Sequence, residues 1–235
     1  MIDIHSHILP CVDDGPKSLA GSIAIVRRLI SQGVTDIIAT PHFVNETNFV
    51  SPKAQNQRVL AVVKRALEKE GININIFLGN EIYIDNNILE LLKAKKISGL
   101  AGKRILLVEL PLDEEYANYK DILMDLRDAG YAVILAHPER YTIIQKDIEI
   151  AKELRRMGIL FQCNIGSILG KYGKGAKKTV KKLIKERMIF TFGSDIHHDG
   201  RTDYITLAKK NLLKYYIEKE LHYLLVVNPG KIIGR

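Results

Sequence analysis

Two histidines one residue apart, His5 and His7, stand in the opening "MIDIHSHILPCVDDG", followed by the acid pair Asp13 and Asp14. Further along come His42 in "TPHF", Glu81 in "GNEIYI", Glu109 in "ILLVELP", His137 in "HPER", and Asp195 with His197 in "GSDIHH". Imidazoles and carboxylates are the nitrogen and oxygen donors of divalent metal ions. His-x-His alone says little, since in a strand it merely puts two rings on one face. Glu109 says more, because a carboxylate that ends a strongly apolar strand must be paired, protonated or metal-bound to offset its desolvation. Asp195, after "FTFG", poses the same problem.

Positions so far apart in sequence must be brought together by the elements that carry them. Short apolar, β-branched runs recur at Met1 to His5, Val34 to Thr40, Asn73 to Leu78, Arg104 to Leu110, Tyr131 to His137, Ile159 to Asn164 and Ile189 to Asp195. Between them lie segments of helical periodicity: Leu19, Ile23, Val26 and Ile30 before Gly33, and Tyr119, Ile122, Leu123 and Leu126 before Gly130. Strands alternating with helices imply parallel strands joined by crossover helices. Over this length the rhythm predicts an α/β fold in one domain, residues 1–235. Its form would be a closed or nearly closed β/α barrel, one strand short of the eight-stranded TIM barrel. In such a barrel the C-terminal strand ends share one face, and six of the seven strands end in, or are soon followed by, a candidate ligand. His5, His7, Asp14, His42, Glu81, Glu109, His137, Asp195 and His197 are too many for one ion and suit three ions sharing bridging carboxylates or solvent. Manganese, zinc and iron fit such a donor set.

Composition narrows the alternatives. No run approaches the roughly 20 apolar residues of a membrane-spanning helix, and the opening segment reads as part of the fold rather than a targeting signal. Cys11 and Cys163 have no disulfide or metal-type spacing, which suits a reducing cytoplasm. Neither has the arginine six residues on that a cysteine-dependent tyrosine phosphatase uses to cradle phosphate; Lys17 and Leu169 stand there. The net charge of +8 owes much to "KYGKGAKKTVKKLIKER", where Val180, Leu183, Ile184 and Met188 recur at helical spacing among lysines, the pattern of a surface helix with a solvated basic face. No recognition motif supports nucleic-acid binding. "VVNPGKIIGR" reads as a short closing helix opened by Asn228 and Pro229.

With these residues in view, the chain resembles the polymerase and histidinol phosphatase (PHP) superfamily through "DIHSH", "TPHF", "HPER" and "GSDIHH". Within it, "MIDIHSHILPCVDDGPKS", "IIATPHF", "GNEIYI", "LLVELP" and "VILAHPERY" resemble the manganese-dependent tyrosine phosphatases of bacterial capsule and exopolysaccharide operons, over essentially the whole chain. The resemblance implies the PHP fold, a distorted seven-stranded, TIM-like β/α barrel, with a trinuclear centre. His5, His7, Asp195 and bridging Glu81 would hold one ion; Glu81, Glu109 and His137 a second; Asp14, His42 and His197 a third. Asp13 competes with Asp14 for its role. Arg140, and Arg201 at the end of a loop shorter than the subgroup leads one to expect, would clamp phosphate. Four carboxylates against three divalent ions leave a formal +2, which attracts a phosphate monoester. A metal-bridging hydroxide is the expected nucleophile, with His42 or His197 polarising the leaving oxygen. The implied partner is the tyrosine-rich tail of a bacterial tyrosine kinase. Competing functions are a histidinol phosphatase on the same scaffold and a nucleic-acid-associated PHP module.

Overall fold

A computed structural model describes residues 1–45, 47, 49–113, 117–199 and 204–235. The strands are β1 (Ile2–Ser6), β2 (Asp36–Ala39), β3 (His42–Phe43), β4 (Asn75–Leu78), β5 (Glu81–Tyr83), β6 (Ile105–Glu109), β7 (Ala132–Ala136), β8 (Leu160–Asn164) and β9 (Thr191–Gly193). Each expected strand region contains a strand. The second and third regions, however, are each continued by a separate short strand, β3 and β5.

The breaks have local causes. After β2 the chain meets Pro41, which has no N–H to offer a ladder; its carbonyl instead accepts from Glu81 N and Asn80 Nδ2, both at 3.2 Å. After β4, Gly79 passes so close to Leu100 that an added Cβ would lie 2.8 Å from Leu100 Cδ2. At these two points the strands step from one sheet into another. One sheet has the order β1-β2-β4 and the other β3-β5-β6-β7-β8-β9, with every neighbour parallel. No closed sheet forms among the described residues. The two sheets are joined at β1 and β9, where Asp195 N donates to His5 O and His7 N to Ile196 O, both at 2.9 Å.

The helices are α1 (Leu19–Ser31), α2 (Lys53–Lys69), α3 (Ile88–Lys93), α4 (Tyr119–Asp128), α5 (Thr142–Lys146), α6 (Ile148–Arg156), α7 (Gly173–Lys185), α8 (Tyr204–Leu212), α9 (Glu218–His222) and α10 (Asn228–Ile233). Helix α1 starts where Ser18 Oγ accepts from Gly21 N, and buries Ile23, Val26 and Leu29. Helix α7 buries Val180, Leu183 and Ile184 as expected, whereas Met188 is buried beyond the helix end. The closing helix also forms, although it continues a π-helical turn over Tyr223–Val227 instead of opening at Asn228, and its Ile232 joins Ile2, Ile4, Ile38, Leu107 and Ile134 in an apolar cluster.

Residues i and i+2 of a strand share a face, and along one face of this sheet polarity changes with height. Leu107 precedes Glu109, and Leu160 precedes Gln162 and Asn164. The apolar lower positions fill the core. The polar positions at the C-terminal strand ends build the site.

Candidate metal centre

Glu81, at the start of β5, is fully buried and lies at the hub. Its Oε2 is 3.0 Å from His5 Nε2, 3.1 Å from His7 Nε2 and 3.2 Å from His42 Nδ1, while Oε1 is 2.9 Å from His137 Nε2. Glu109, ending β6, approaches His137 Nε2 at 3.4 Å and His42 Nδ1 at 3.6 Å. Asp195 Oδ1 faces His5 at 3.5 Å and His7 and His197 at 3.6 Å. On the open side, Asp14 Oδ1 lies 3.2 Å from His197 Nε2 and 3.7 Å from His42 Nε2. All nine sequence-predicted ligand positions thus meet in one constellation.

Three overlapping groups have donor atoms within 4.8 Å of one another: His5, His7, Glu81 and Asp195; His7, Asp14, His42 and His197; and His42, Glu81 and Glu109. The first is the set expected for one ion. The second adds His7 to the expected Asp14, His42 and His197. The third has His42 where His137 was expected, although His137 Nε2 also reaches both carboxylates.

Two of the imidazoles are aimed by hydrogen bonds at their far nitrogens, which orient the ring. His5 Nδ1 donates to Gln162 Oε1 at 2.6 Å and His7 Nδ1 to Asp13 Oδ2 at 2.8 Å, so each Nε2 faces the centre and offers it a lone pair once deprotonated. Asp13 also accepts from His42 N and Gly15 N. Its oxygens are committed, which separates the adjacent acids: Asp13 orients and half-exposed Asp14 is free to ligate. On β8, which supplies no candidate ligand, Gln162 Nε2 donates to Asn164 Oδ1 and Asn164 Nδ2 donates to Asp195 Oδ2 at 2.6 Å. Two amides therefore brace His5 and Asp195. They went unread in the sequence, although "FQCN" places amides at i and i+2 at a strand end.

The backbone is also committed at this site. His137 (φ 32°) and Asp195 (φ 50°) are in the left-handed region, a conformation that side chains other than glycine adopt at a cost and that concentrates at functional sites.

The electrostatics suit a bound cation. Burial opposes charge on Glu81, but His5, His42 and His137 overcome it and hold the carboxyl well below its usual range. Burial together with Glu81 and Asp195 pushes Glu109 well above that range, because without a cation these carboxylates crowd one another. Burial works against charge on His5 too, yet Glu81 and Asp195 raise it to about 9; for His42 burial prevails and lowers it to about 4. Glu81 Oε2 and His42 Nδ1 are buried with no hydrogen-bond partner. Orphaned lone pairs converging from nitrogen and oxygen donors alone fit divalent ions of the manganese, zinc and iron type.

The centre opens into a cleft of about 640 Å³ lined by Asp14, His42, Glu109, His137, Asp195 and His197. Arg140 also lines it. Its Nη1 donates to Asp195 Oδ2 at 3.1 Å, and its guanidinium carbon lies 4.7 Å from the centre of the Tyr172 ring. Arg201 lies outside the described residues. Lys171, Tyr172, Phe49 and Tyr83 share the cleft without having been singled out from sequence. Cys11 is exposed, with its thiol donating to Lys17 O, and buried Cys163 is raised well above the usual thiol range by burial and by Glu139. Neither lines the cleft.

Comparison with known proteins agrees with this geometry. A family model described as "Capsular polysaccharide synthesis, CpsB/CapC" matches residues 1–234. The tyrosine-protein phosphatase YwqE of Bacillus subtilis is 32% identical over 233 residues, covering 99% of this chain and 91% of that protein. Among solved structures, a chain from the crystal structures of YwqE from B. subtilis and CpsB from Streptococcus pneumoniae, described as unique metal-dependent tyrosine phosphatases, superposes with a TM-score of 0.91 at 31% identity. It covers 99% of this chain and 94% of that one. The histidinol phosphate phosphatase of Lactococcus lactis shares the fold, with a TM-score of 0.58 at 14% identity over 91% of this chain and 92% of that one. The chain belongs to the CpsB/CapC capsular polysaccharide synthesis family.

Proposed function

We propose that this chain is a metal-dependent protein-tyrosine phosphatase, and that residues 1–235 work as one catalytic domain in a distorted seven-stranded barrel. The observation that carries this reading is the convergence of four imidazoles on the two oxygens of Glu81, beside a cleft that also presents Arg140. Ligands from both ends of the chain, His5 and Asp195, support the single domain, and the backbone bonds between β1 and the end of β9 support the barrel.

We assign His5, His7, Glu81 and Asp195 to one ion, Glu81, Glu109 and His137 to a second, and Asp14, His42 and His197 to a third, with manganese as the leading metal and zinc or iron as alternatives. When bound, such ions lower the pKa of a shared water from about 16 towards neutrality and offset charge on the phosphoryl oxygens. The chain's own residues do the rest. Arg140, braced by Asp195 and Tyr172, grips two phosphate oxygens through its planar fork, and Arg201 adds a second cation. His42 and His197, both reaching the cleft, polarise the leaving oxygen or its water. A phenolate leaving group, with a pKa of about 10, needs less help than a serine alkoxide. The substrate we infer is the phosphorylated tail of a tyrosine kinase that governs capsular polysaccharide synthesis, which places the enzyme in the cytoplasm.

The test is initial rates on a phosphotyrosine peptide, a phosphoserine peptide and histidinol phosphate in parallel with added manganese. Preference for the phosphotyrosine peptide is expected. Preference for histidinol phosphate would keep the metal centre and overturn the substrate.

A further inference from the structure

Phe49 is an unusual residue to find in water. It is 39% exposed, its ring centre lies 6.1 Å from that of His42, and it lines the mouth of the cleft. The backbone of Phe49 is held in place. Val44 N donates to Phe49 O at 3.0 Å, Phe49 N to Thr47 Oγ1 at 3.1 Å, Phe43 pairs with Val50 in an antiparallel bridge, and Ser51 Oγ donates to His42 O. A pinned, exposed aromatic ring beside a reaction centre is a preformed surface for an apolar group.

The cleft is divided by chemistry. Val44 and Phe49 follow β3, and Tyr83 ends β5; Arg140 follows β7, and Lys171 follows β8. In the sheet order, β6 with Glu109 lies between these two groups. One side of the centre is therefore apolar and aromatic, while the other carries the cations, with its one ring, Tyr172, already stacked on Arg140. A phosphate held by the ions and Arg140 needs no aromatic wall. The aryl ring that carries the phosphate in phosphotyrosine does, whereas phosphoserine has nothing to place there.

We infer that Phe49, with Val44 and Tyr83, forms the wall that receives the aryl ring of the substrate and so sets the preference for aryl over alkyl phosphate esters. This inference rests on the phosphotyrosine reading above. An aromatic pair contributes enough to change binding by roughly two- to tenfold.

The experiment compares the metal-loaded full-length chain with Phe49→Ala and Phe49→Tyr, measuring kcat and KM on phosphotyrosine and phosphoserine peptides, inhibition by inorganic phosphate, and bound metal. For Phe49→Ala, KM for the phosphotyrosine peptide is expected to rise by about five- to tenfold. Phosphoserine KM, phosphate inhibition and metal content should stay at wild-type values, and Phe49→Tyr should restore the lost affinity. An unchanged phosphotyrosine KM would overturn the assignment while leaving the phosphatase reading intact. Equal losses on both peptides and on inorganic phosphate would overturn it too, making Phe49 a prop for His42. A wild-type chain that fails to turn over phosphotyrosine would instead overturn the underlying reading, and this inference with it.

Discussion

Adjacent acids in "DDG" stand in different settings, and the difference lies in what their oxygens already hold. Asp13 takes three donors, His7 Nδ1, His42 N and Gly15 N, and joins none of the three groups of converging donor atoms. Asp14 Oδ1 has no hydrogen-bond partner and faces His197 and His42. Losing a carboxylate behind a ligating histidine typically costs about 10- to 100-fold in metal affinity. Asp13→Asn should therefore weaken metal binding by about that factor, read as the manganese concentration for half-maximal activity; wild-type metal dependence would show that Asp13 does not orient His7. Cys11→Ser makes the contrasting case. Among the described residues the thiol bonds only to Lys17 O, and it does not line the cleft, so turnover should stay within about twofold of wild type. A dead variant with full metal content would mean that the nucleophile had been misassigned.

At the scale of elements, the site depends on strands that stop at the right height. Gly193, ending β9, shows how tightly they meet: an added Cβ would lie 2.8 Å from His5 Cβ and 2.9 Å from Gln162 Nε2. Gly193→Ala should displace His5 and lower turnover on the order of 100-fold, the scale of a 1 Å misplacement, while circular dichroism still reports a folded chain. Unchanged turnover would show that His5 is not held where catalysis needs it. Much of this was legible in the sequence, because parallel strands buried on both faces read as apolar runs, and a carboxylate at the end of such a run needs a counter-charge or a metal to stay there. Glu109 and Asp195 were found that way. The split of the second and third strands was not, since the ladder change at Pro41 and Gly79 depends on how β3 and β5 pair with strands distant in sequence. Gln162 and Asn164 escaped because an amide carries no charge whose burial demands a partner. Phe49 escaped because its significance lies in its exposure, which only the folded chain defines.

For the whole molecule, charge links the centre to pH and to substrate. In the metal-free protein His5 is held at about 9, against an ordinary value of 6.5. A raised pKa contributes stability that is fully present below 6.5 and lost as the pH climbs through 9; His42, held at about 4, is neutral across this window in the folded chain and sheds its remaining charge just above 6.5 in the unfolded one. The metal-free protein should thus lose thermal stability between pH 6.5 and 9. Because ligating imidazoles must be neutral, metal binding at pH 7 should release protons, seen as buffer-dependent heats in calorimetry; buffer-independent heats would contradict the protonated state of His5. Further out, Lys174, Lys178, Lys181 and Lys185 form one exposed stripe along α7, which begins directly after the cleft residues Lys171 and Tyr172. Turnover of an acidic phosphopeptide should fall with added salt, and less steeply once Lys174 and Lys178 are changed to glutamate. An unaltered salt response would leave that face with no part in substrate binding.

The most direct test of the account is phosphate release from a phosphotyrosine peptide by the wild-type chain and by Glu81→Ala, each after chelation and again after manganese is restored, with bound metal counted. The account predicts that chelation abolishes turnover, that manganese restores it in the wild type, and that Glu81→Ala stays inactive and metal-depleted. Turnover that survives chelation, or a Glu81→Ala variant with wild-type rates, would contradict a metal centre organised around Glu81.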